Sequence, residues 1–364
     1  MKKNILFIAP SLHGGGAERV ITTLLNNINT EKFTFSLALI NNEGPLIDEL
    51  SKKIDIIDLK AVRVRYASLK LLKLIWYKKP DIIFSTLGHL NLLVIVTKLF
   101  MPKQIKYICR ETNIPSLVHK RKIKYYIFLL LYRSLYKFFD HVVCQSTDMR
   151  KDLIEHYNIP LSKLSLINNP CDIKRIQNKI SKSKRDIYFS SEKINLLSVG
   201  ALTNQKGFDL LINAISKIKD NRFHLTIIGE GPEKQILQDL VDKLNISNKI
   251  NFVGFKNNPY TYMHHADLFI LSSRYEGFPN VVLESLACGT AVVAYDSPGD
   301  LNKIVYDGIN GFLVKYLSID DLAKTIVKAS KTKFDLMDIQ NSVIDRYSIN
   351  KIIPQYENLF LTTH

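Results

Sequence analysis

Asn4-Ile5-Leu6-Phe7-Ile8-Ala9-Pro10-Ser11-Leu12-His13-Gly14-Gly15-Gly16-Ala17-Glu18-Arg19 is a short apolar run stopped by a proline and a glycine loop, after which helical spacing begins. The apolar part is too short for a secretory h-region, so it reads as a first β-strand. The same pattern returns at Ile194-Asn195-Leu196-Leu197-Ser198-Val199-Gly200. Apolar runs without polar alternation belong to strands buried on both faces, and hence to parallel α/β sheets. Working outward, strands are expected at 5–9, 35–40, 54–58, 82–85, 105–109, 141–145 and 164–167. A second set follows at 194–199, 224–228, 250–252, 268–271, 291–294 and 312–314. Leu211, Ala214, Ile215 and Ile218 follow the i, i+3, i+4, i+7 rule of an intervening helix.

Asp172–Lys193 is polar and reads as a linker, with Ser181-Lys182-Ser183-Lys184-Arg185 at its centre. The expected organisation is therefore two doubly wound, Rossmann-like domains. One covers 1–175 and receives a returning C-terminal helix from 346–364; the other covers 190–345. Two such domains would face a central cleft, and open α/β sheets bind ligands at the carboxyl ends of their strands. A length of 364 residues, with 46% hydrophobic and 23% charged residues, suits this arrangement and excludes a fibrous or largely disordered chain. Four cysteines without a CxxC pair exclude a disulfide scaffold or a zinc ribbon and suit a reducing cytosol. No stretch reaches the roughly 18 apolar residues of a membrane-spanning helix.

Formal net charge is +16, and nearly all of the excess is local. Seventeen Lys or Arg between Lys60 and Lys137 face only Asp81 and Glu111, a local net of +15. Such a surface calls for an anionic partner. His119-Lys120-Arg121-Lys122-Ile123-Lys124 is basic and runs into Tyr125-Tyr126-Ile127-Phe128-Leu129-Leu130-Leu131. Either this is an ordinary helix with one buried face or it lies in a membrane interface, with Lys120, Arg121, Lys122 and Lys124 on phosphates. Nucleic acid is disfavoured, because no helix-turn-helix, RNA-binding or zinc-finger signature accompanies the charge.

Three segments carry chemistry. Gly14-Gly15-Gly16 opens a helix, where exposed backbone amides and the helix dipole favour an anion; a plain tight turn would use the same residues. It is neither a dinucleotide GxGxxG nor a Walker loop. Lys206, in Gly200-Ala201-Leu202-Thr203-Asn204-Gln205-Lys206-Gly207, stands just past a strand, placed to meet a phosphate or simply solvated. The strongest segment is Arg274-Tyr275-Glu276-Gly277-Phe278-Pro279-Asn280-Val281-Val282-Leu283-Glu284. Pro279 favours a helix start, which leaves Glu276 in the preceding loop and Glu284 about one turn in. Free amides around Gly277–Val281 would then receive a diphosphate. Each carboxylate oxygen can accept a bond from a sugar or ribose hydroxyl.

Taken in order, these segments resemble the retaining glycosyltransferases of family 4, which have the GT-B fold. Leu286-Ala287-Cys288-Gly289-Thr290 and Asp307-Gly308-Ile309-Asn310-Gly311-Phe312-Leu313-Val314 extend the likeness over nearly the whole chain. The likeness is to bacterial enzymes that build O-antigen, lipopolysaccharide, capsule or lipid-linked oligosaccharides. It implies a nucleotide-sugar donor, with a uridine nucleotide first and guanosine next, and no other cofactor. By that pattern Glu284 holds the ribose, Lys206 the diphosphate, and Glu276 with Gly277, Phe278, Pro279, Asn280 and Val281 the donor sugar and phosphates. Gly15 and Gly16 would close over the donor. Retention of configuration without a metal is implied, and the sequence offers no DxD motif.

Three positions depart from the family pattern. Ala201 stands where an arginine is common, so that Arg19 or Arg274 would have to substitute. Glu111 stands where a histidine is common and would serve either as a sugar or acceptor contact or as a base. Lys303 replaces an acid. The implied reaction moves a hexosyl or N-acetylhexosaminyl group onto a polyprenyl-diphosphate-linked glycan, by a cytoplasmic enzyme lying peripherally on the inner face of the membrane. A nucleotide-sugar 2-epimerase of the same fold is disfavoured by the glycine loop and the basic aromatic stretch. A nucleic-acid-binding protein leaves Glu276 and Glu284 unexplained.

Overall fold

Ile5, Phe7 and Ala9 turn to one face of a sheet while Leu6 and Ile8 turn to the other, and all five are buried. That is why the run lacks polar alternation. The computed structural model describes residues 2–118, 123–181 and 189–363. The chain divides into two units, Met1–Pro170 with Ile349–His364, and Cys171–Ser348.

The first unit holds seven strands: β1 (Lys3–Ala9), β2 (Phe33–Leu39), β3 (Asp55–Asp58), β4 (Ile82–Thr86), β5 (Lys106–Arg110), β6 (His141–Cys144) and β7 (Leu164–Leu166). Their order is β3-β2-β1-β4-β5-β6-β7. The second unit holds β8 (Ile194–Val199), β9 (Phe223–Ile228), β10 (Ile250–Phe252), β11 (Leu268–Leu271), β12 (Val292–Tyr295) and β13 (Gly311–Val314), in the order β10-β9-β8-β11-β12-β13. Every pairing is parallel; Ile5 aligns with Phe35 and Ile82, and Leu196 with Leu225 and Leu268. Both are doubly wound sheets whose strand order reverses beside the first strand. Each strand expected from the sequence is present, with ends displaced by no more than two residues. The ladder carries on past the apolar run at some ends, as at Lys3 and Asn4.

One expectation is corrected. Within the presumed linker, Ile173–Ser181 is a helix of the second unit. Ile173, Ile176 and Ile180 recur at helical spacing among lysines and an arginine, and Ile176 is buried. Residues 182–188 lie outside the described residues.

The final helix, Ile349–Thr362, packs on one face of the first sheet through Ile352, Ile353, Tyr356, Leu359 and Phe360. Phe360 meets Phe84 at 5.5 Å and Phe7 at 6.2 Å between ring centroids, both edge-on. Among the described residues no helix is long and apolar enough to cross a membrane. Phe360 is fully buried in this aromatic cluster, so Phe360→Ala is expected to destabilise the first unit by about 3–5 kcal/mol. Denaturant unfolding followed by tyrosine absorbance checks this, and a loss below about 1 kcal/mol would place the helix's anchor elsewhere.

Candidate active site

In the second unit the strand order reverses between β8 and β11, and the carboxyl ends at such a switch point are where open α/β sheets bind ligands. β8 runs out through Gly200 into the short turn Asn204–Lys206, and β11 runs out into Ser272–Glu276. These two loops bring Lys206 and Glu276 together: Lys206 Nζ donates to Glu276 Oε1 at 2.6 Å. Ser273 Oγ donates to the same oxygen, also at 2.6 Å, and Glu276 is buried. Gly207 (φ +63°) allows the close approach, since a Cβ there would lie 2.1 Å from the Ser272 carbonyl oxygen. On the other side Gly299 (φ +129°) covers Glu276, and a Cβ there would lie 2.8 Å from the Glu276 carbonyl oxygen. The Glu276 N–H donates to Pro298 O at 2.8 Å.

Arg274 braces the two loops. Its guanidinium grips Asp209 in two bonds of 2.8 and 2.7 Å and donates to Asn204 O at 2.7 Å. The Arg274 N–H donates to Gln205 O, and Gln205 Nε2 donates to Tyr275 O. Partial burial alone would raise the Asp209 pKa, but the Arg274 bonds and charge outweigh it and hold the carboxyl below its ordinary range. The guanidinium is thus bound into the scaffold. Lys303, at the other departure from the family pattern, has its Nζ 3.3 Å from Asp300 Oδ2.

The helix Asn280–Ala287 starts immediately after Pro279, and Glu284 is its fifth residue. Phe278 is buried against Tyr347, with ring centroids 5.7 Å apart, so its side chain anchors the loop. Gly277 and Pro279 are buried beside it, and Val281 packs on the core from the helix's first turn. The expected row of free amides needs one correction, because the Asn280 N–H is turned onto Phe278 O at 3.0 Å. Glu284 is half-buried, and its Oε1 accepts from Tyr260 OH at 3.2 Å. Arg175 Nη1 donates to the same hydroxyl at 2.9 Å. Ser273, Asp209, Tyr260 and Arg175 were not singled out in the sequence. Ser273 was legible as a polar residue just past an apolar strand; Arg175 was hidden in the presumed linker.

In the first unit Gly15 caps the helix Gly16–Asn27, and Arg19 in its first turn lies 3.9 Å from Glu49. Glu111 follows β5 directly and is buried in a cage. Its Oε1 accepts from Tyr136 OH, from Asn91 Nδ2 at 3.2 Å and from Tyr132 OH at 3.4 Å, while Tyr132 and Tyr136 stack at 4.1 Å. Burial pushes the Glu111 pKa up to about 7 against these bonds, which favour the carboxylate. It is a carboxyl poised to hold or release a proton near neutrality. Lys120, Arg121 and Lys122 lie outside the described residues, and Lys124 stands in the helix Ile123–Leu135. On that helix Tyr126, Ile127 and Leu130 are exposed. Among the described residues no cluster of three or more His, Cys, Asp or Glu side chains is arranged to hold a metal ion.

A doubly wound parallel sheet in each unit is the make-up of the GT-B fold, and solved structures agree. Anabaena Alr3699/HepE in complex with UDP and glucose aligns with TM-score 0.82 at 19% identity, over 98% of this chain and 99% of that one. WaaG, a glycosyltransferase involved in lipopolysaccharide biosynthesis, aligns with TM-score 0.77 at 16% identity, over 98% and 100%. The profile described as Glycosyltransferase Family 4 matches residues 14–175, and that described as Glycosyl transferases group 1 matches 179–344. N-acetylgalactosamine-N,N'-diacetylbacillosaminyl-diphospho-undecaprenol 4-alpha-N-acetylgalactosaminyltransferase of Campylobacter jejuni is 33% identical over 86% of each chain. The O-antigen biosynthesis glycosyltransferase WclY of Escherichia coli is 28% identical over 78% of this chain and 79% of its own. This chain belongs to glycosyltransferase family 4 and is an enzyme of that class.

The Glu111 cage has a pH signature. A carboxyl whose folded pKa is raised above its ordinary 4.5 favours the folded state fully below that value and loses the advantage as pH rises through about 7. Against Glu111→Gln, which stays neutral, the native chain should lose up to about 3 kcal/mol of relative stability between those limits. Urea unfolding of both proteins at pH 5 and pH 8 measures the difference; parallel pH profiles would show Glu111 titrating in the ordinary range.

Proposed function

We propose that this enzyme transfers a hexosyl or N-acetylhexosaminyl group from a nucleotide sugar, most simply a UDP-sugar, to a polyprenyl-diphosphate-linked glycan in surface-polysaccharide synthesis. The observation that carries this reading is the joining of Lys206, Ser273 and Glu276 at the β8/β11 switch point, with Glu284 on the helix that follows. Lys206 has three N–H donors and gives one to Glu276; the others suit a diphosphate, whose growing charge the ammonium stabilises as it leaves. Glu276 and the backbone amides of Gly277, Phe278 and Val281 receive the donor sugar and phosphates, and Glu284, steadied by Tyr260, receives the ribose diol. Gly15, Gly16 and Arg19, at the start of the helix Gly16–Asn27, are assigned to an anionic group.

Glu111 is assigned to the acceptor step. As a carboxylate above about pH 7 it can take a proton from the attacking hydroxyl. Retention of configuration and independence from metal follow the family pattern. The activity named for the Campylobacter jejuni relative supports a diphospho-undecaprenol acceptor, and the ligands of the Anabaena neighbour support UDP. An acceptor anchored in a bilayer would also account for the local +15 charge and for a peripheral enzyme on the inner face of the membrane, with Lys120, Arg121, Lys122 and Lys124 preceding the exposed Tyr126, Ile127 and Leu130 in the sequence.

A thermal-shift and hydrolysis screen over nucleotide sugars tests the reading. One UDP-sugar should raise the melting temperature and be cleaved slowly. Glu284→Ala should weaken that donor by about 1–3 kcal/mol, while Lys206→Ala should chiefly lower turnover. Unchanged donor affinity in Glu284→Ala would remove the ribose from this helix.

A further inference from the structure

Three helices of the first unit end at the edge of the sheet where β4, β5 and β6 begin. They are Ser68–Lys78, Gly88–Thr97 continued by the turn Lys98–Phe100, and Ile123–Leu135 continued by Tyr136–Phe138. Each end carries exposed apolar side chains beside lysine. Trp76 and Tyr77 precede Lys78 and Lys79, Leu99 and Phe100 follow Lys98, and Phe138 follows Lys137. Tyr77 is 81% exposed, Leu99 74%, Phe100 60% and Trp76 54%. Lys98 Nζ donates to Phe138 O at 2.8 Å, which joins the second and third ends.

At the first of these ends lies a cavity of about 390 Å³, within the size range of ligand pockets. Ile75, Trp76, Met101 and Ile105 give it apolar walls, and Lys79 and Asp81 are among its polar members. The Asp81 carboxylate accepts the Asn4 N–H at 2.7 Å and Lys79 is exposed, so the cavity itself carries one charge of each sign. Lys103 stands exposed between Pro102 and Gln104, two further wall residues. Glu111 and the glycine loop follow the opposite, carboxyl ends of β5 and β1, so this hollow is separate from the site described above.

An acidic protein partner would meet the same cations. Three observations favour lipid instead: Trp and Tyr grouped with lysines are the side chains of a membrane interface, Asp81 and Glu111 are the only acids between Lys60 and Lys137, and the site is a hollow with Ile75, Trp76, Met101 and Ile105 on its walls rather than a flat contact. We propose that this cavity takes the aliphatic tail of an anionic lipid, with Lys79 and Lys103 on its phosphate.

Trp76 is the only tryptophan in the chain, so its emission reports the cavity wall in the unmodified protein. The probe is lysophosphatidic acid with a brominated tail, added below its micelle-forming concentration. Quenching of Trp76 should saturate at one lipid per chain. Affinity should fall roughly tenfold or more in the surface variant Lys79→Ser/Lys103→Ser, and similarly for lysophosphatidylcholine with the same tail. Met101→Phe, which fills the hollow, should also weaken binding; inorganic phosphate should leave the emission unchanged. Absent or non-saturating quenching, equal affinity in both variants, or Trp76 shielded by self-association of the chain would each overturn the proposal. A monomeric lipid makes the result independent of the helix Ile123–Leu135 meeting a bilayer and of any sugar transfer.

Discussion

An ammonium and a carboxylate held 2.6 Å apart at a sheet edge are the constraint on which the second unit depends. A partly buried ion pair adds little net stability, because desolvating both charges offsets their attraction. It nevertheless demands a scaffold that keeps both partners in register. Gly207 lets the Lys206 loop touch Ser272, Arg274 bolts that loop to the next through Asp209, and Gly299 lies over Glu276. These features are costly for stability alone and intelligible if the two side chains must present a fixed charge pattern at the switch point.

The first unit places its unusual electrostatics at the matching edge of its own sheet. Glu111 is ringed by hydroxyls and an amide, so burial raises its pKa without stranding it. The histidine that the family resemblance implies at this position and this caged glutamate would share one property, a proton affinity near neutral pH, reached by different means. In histidine it is intrinsic; here it requires Asn91, Tyr132 and Tyr136, residues spread over two helical segments.

Strands were the most legible part of the sequence, because burial on both faces of a parallel sheet leaves short uninterrupted apolar runs bounded by turn residues. The switch points followed from strand order, which the sequence suggests only through likeness. Lys206, Glu276 and Glu284 were legible as motif residues, but Tyr260, the partner of Glu284, was not, and Asp209 meets Arg274 only through folding. Arg175 was obscured by composition, since three isoleucines among lysines read as a polar linker until their 3.6-residue spacing is noticed. Nor could the sequence reveal that the Asn280 N–H is already turned onto Phe278 O.

The most direct measurement is a crystal structure of the full-length enzyme with UDP bound. The account predicts the diphosphate within hydrogen-bonding distance of Lys206 Nζ at the carboxyl ends of β8 and β11, with the ribose on Glu284. Nucleotide density seated anywhere else on the second unit, with Lys206 still bonded only to Glu276, would contradict it.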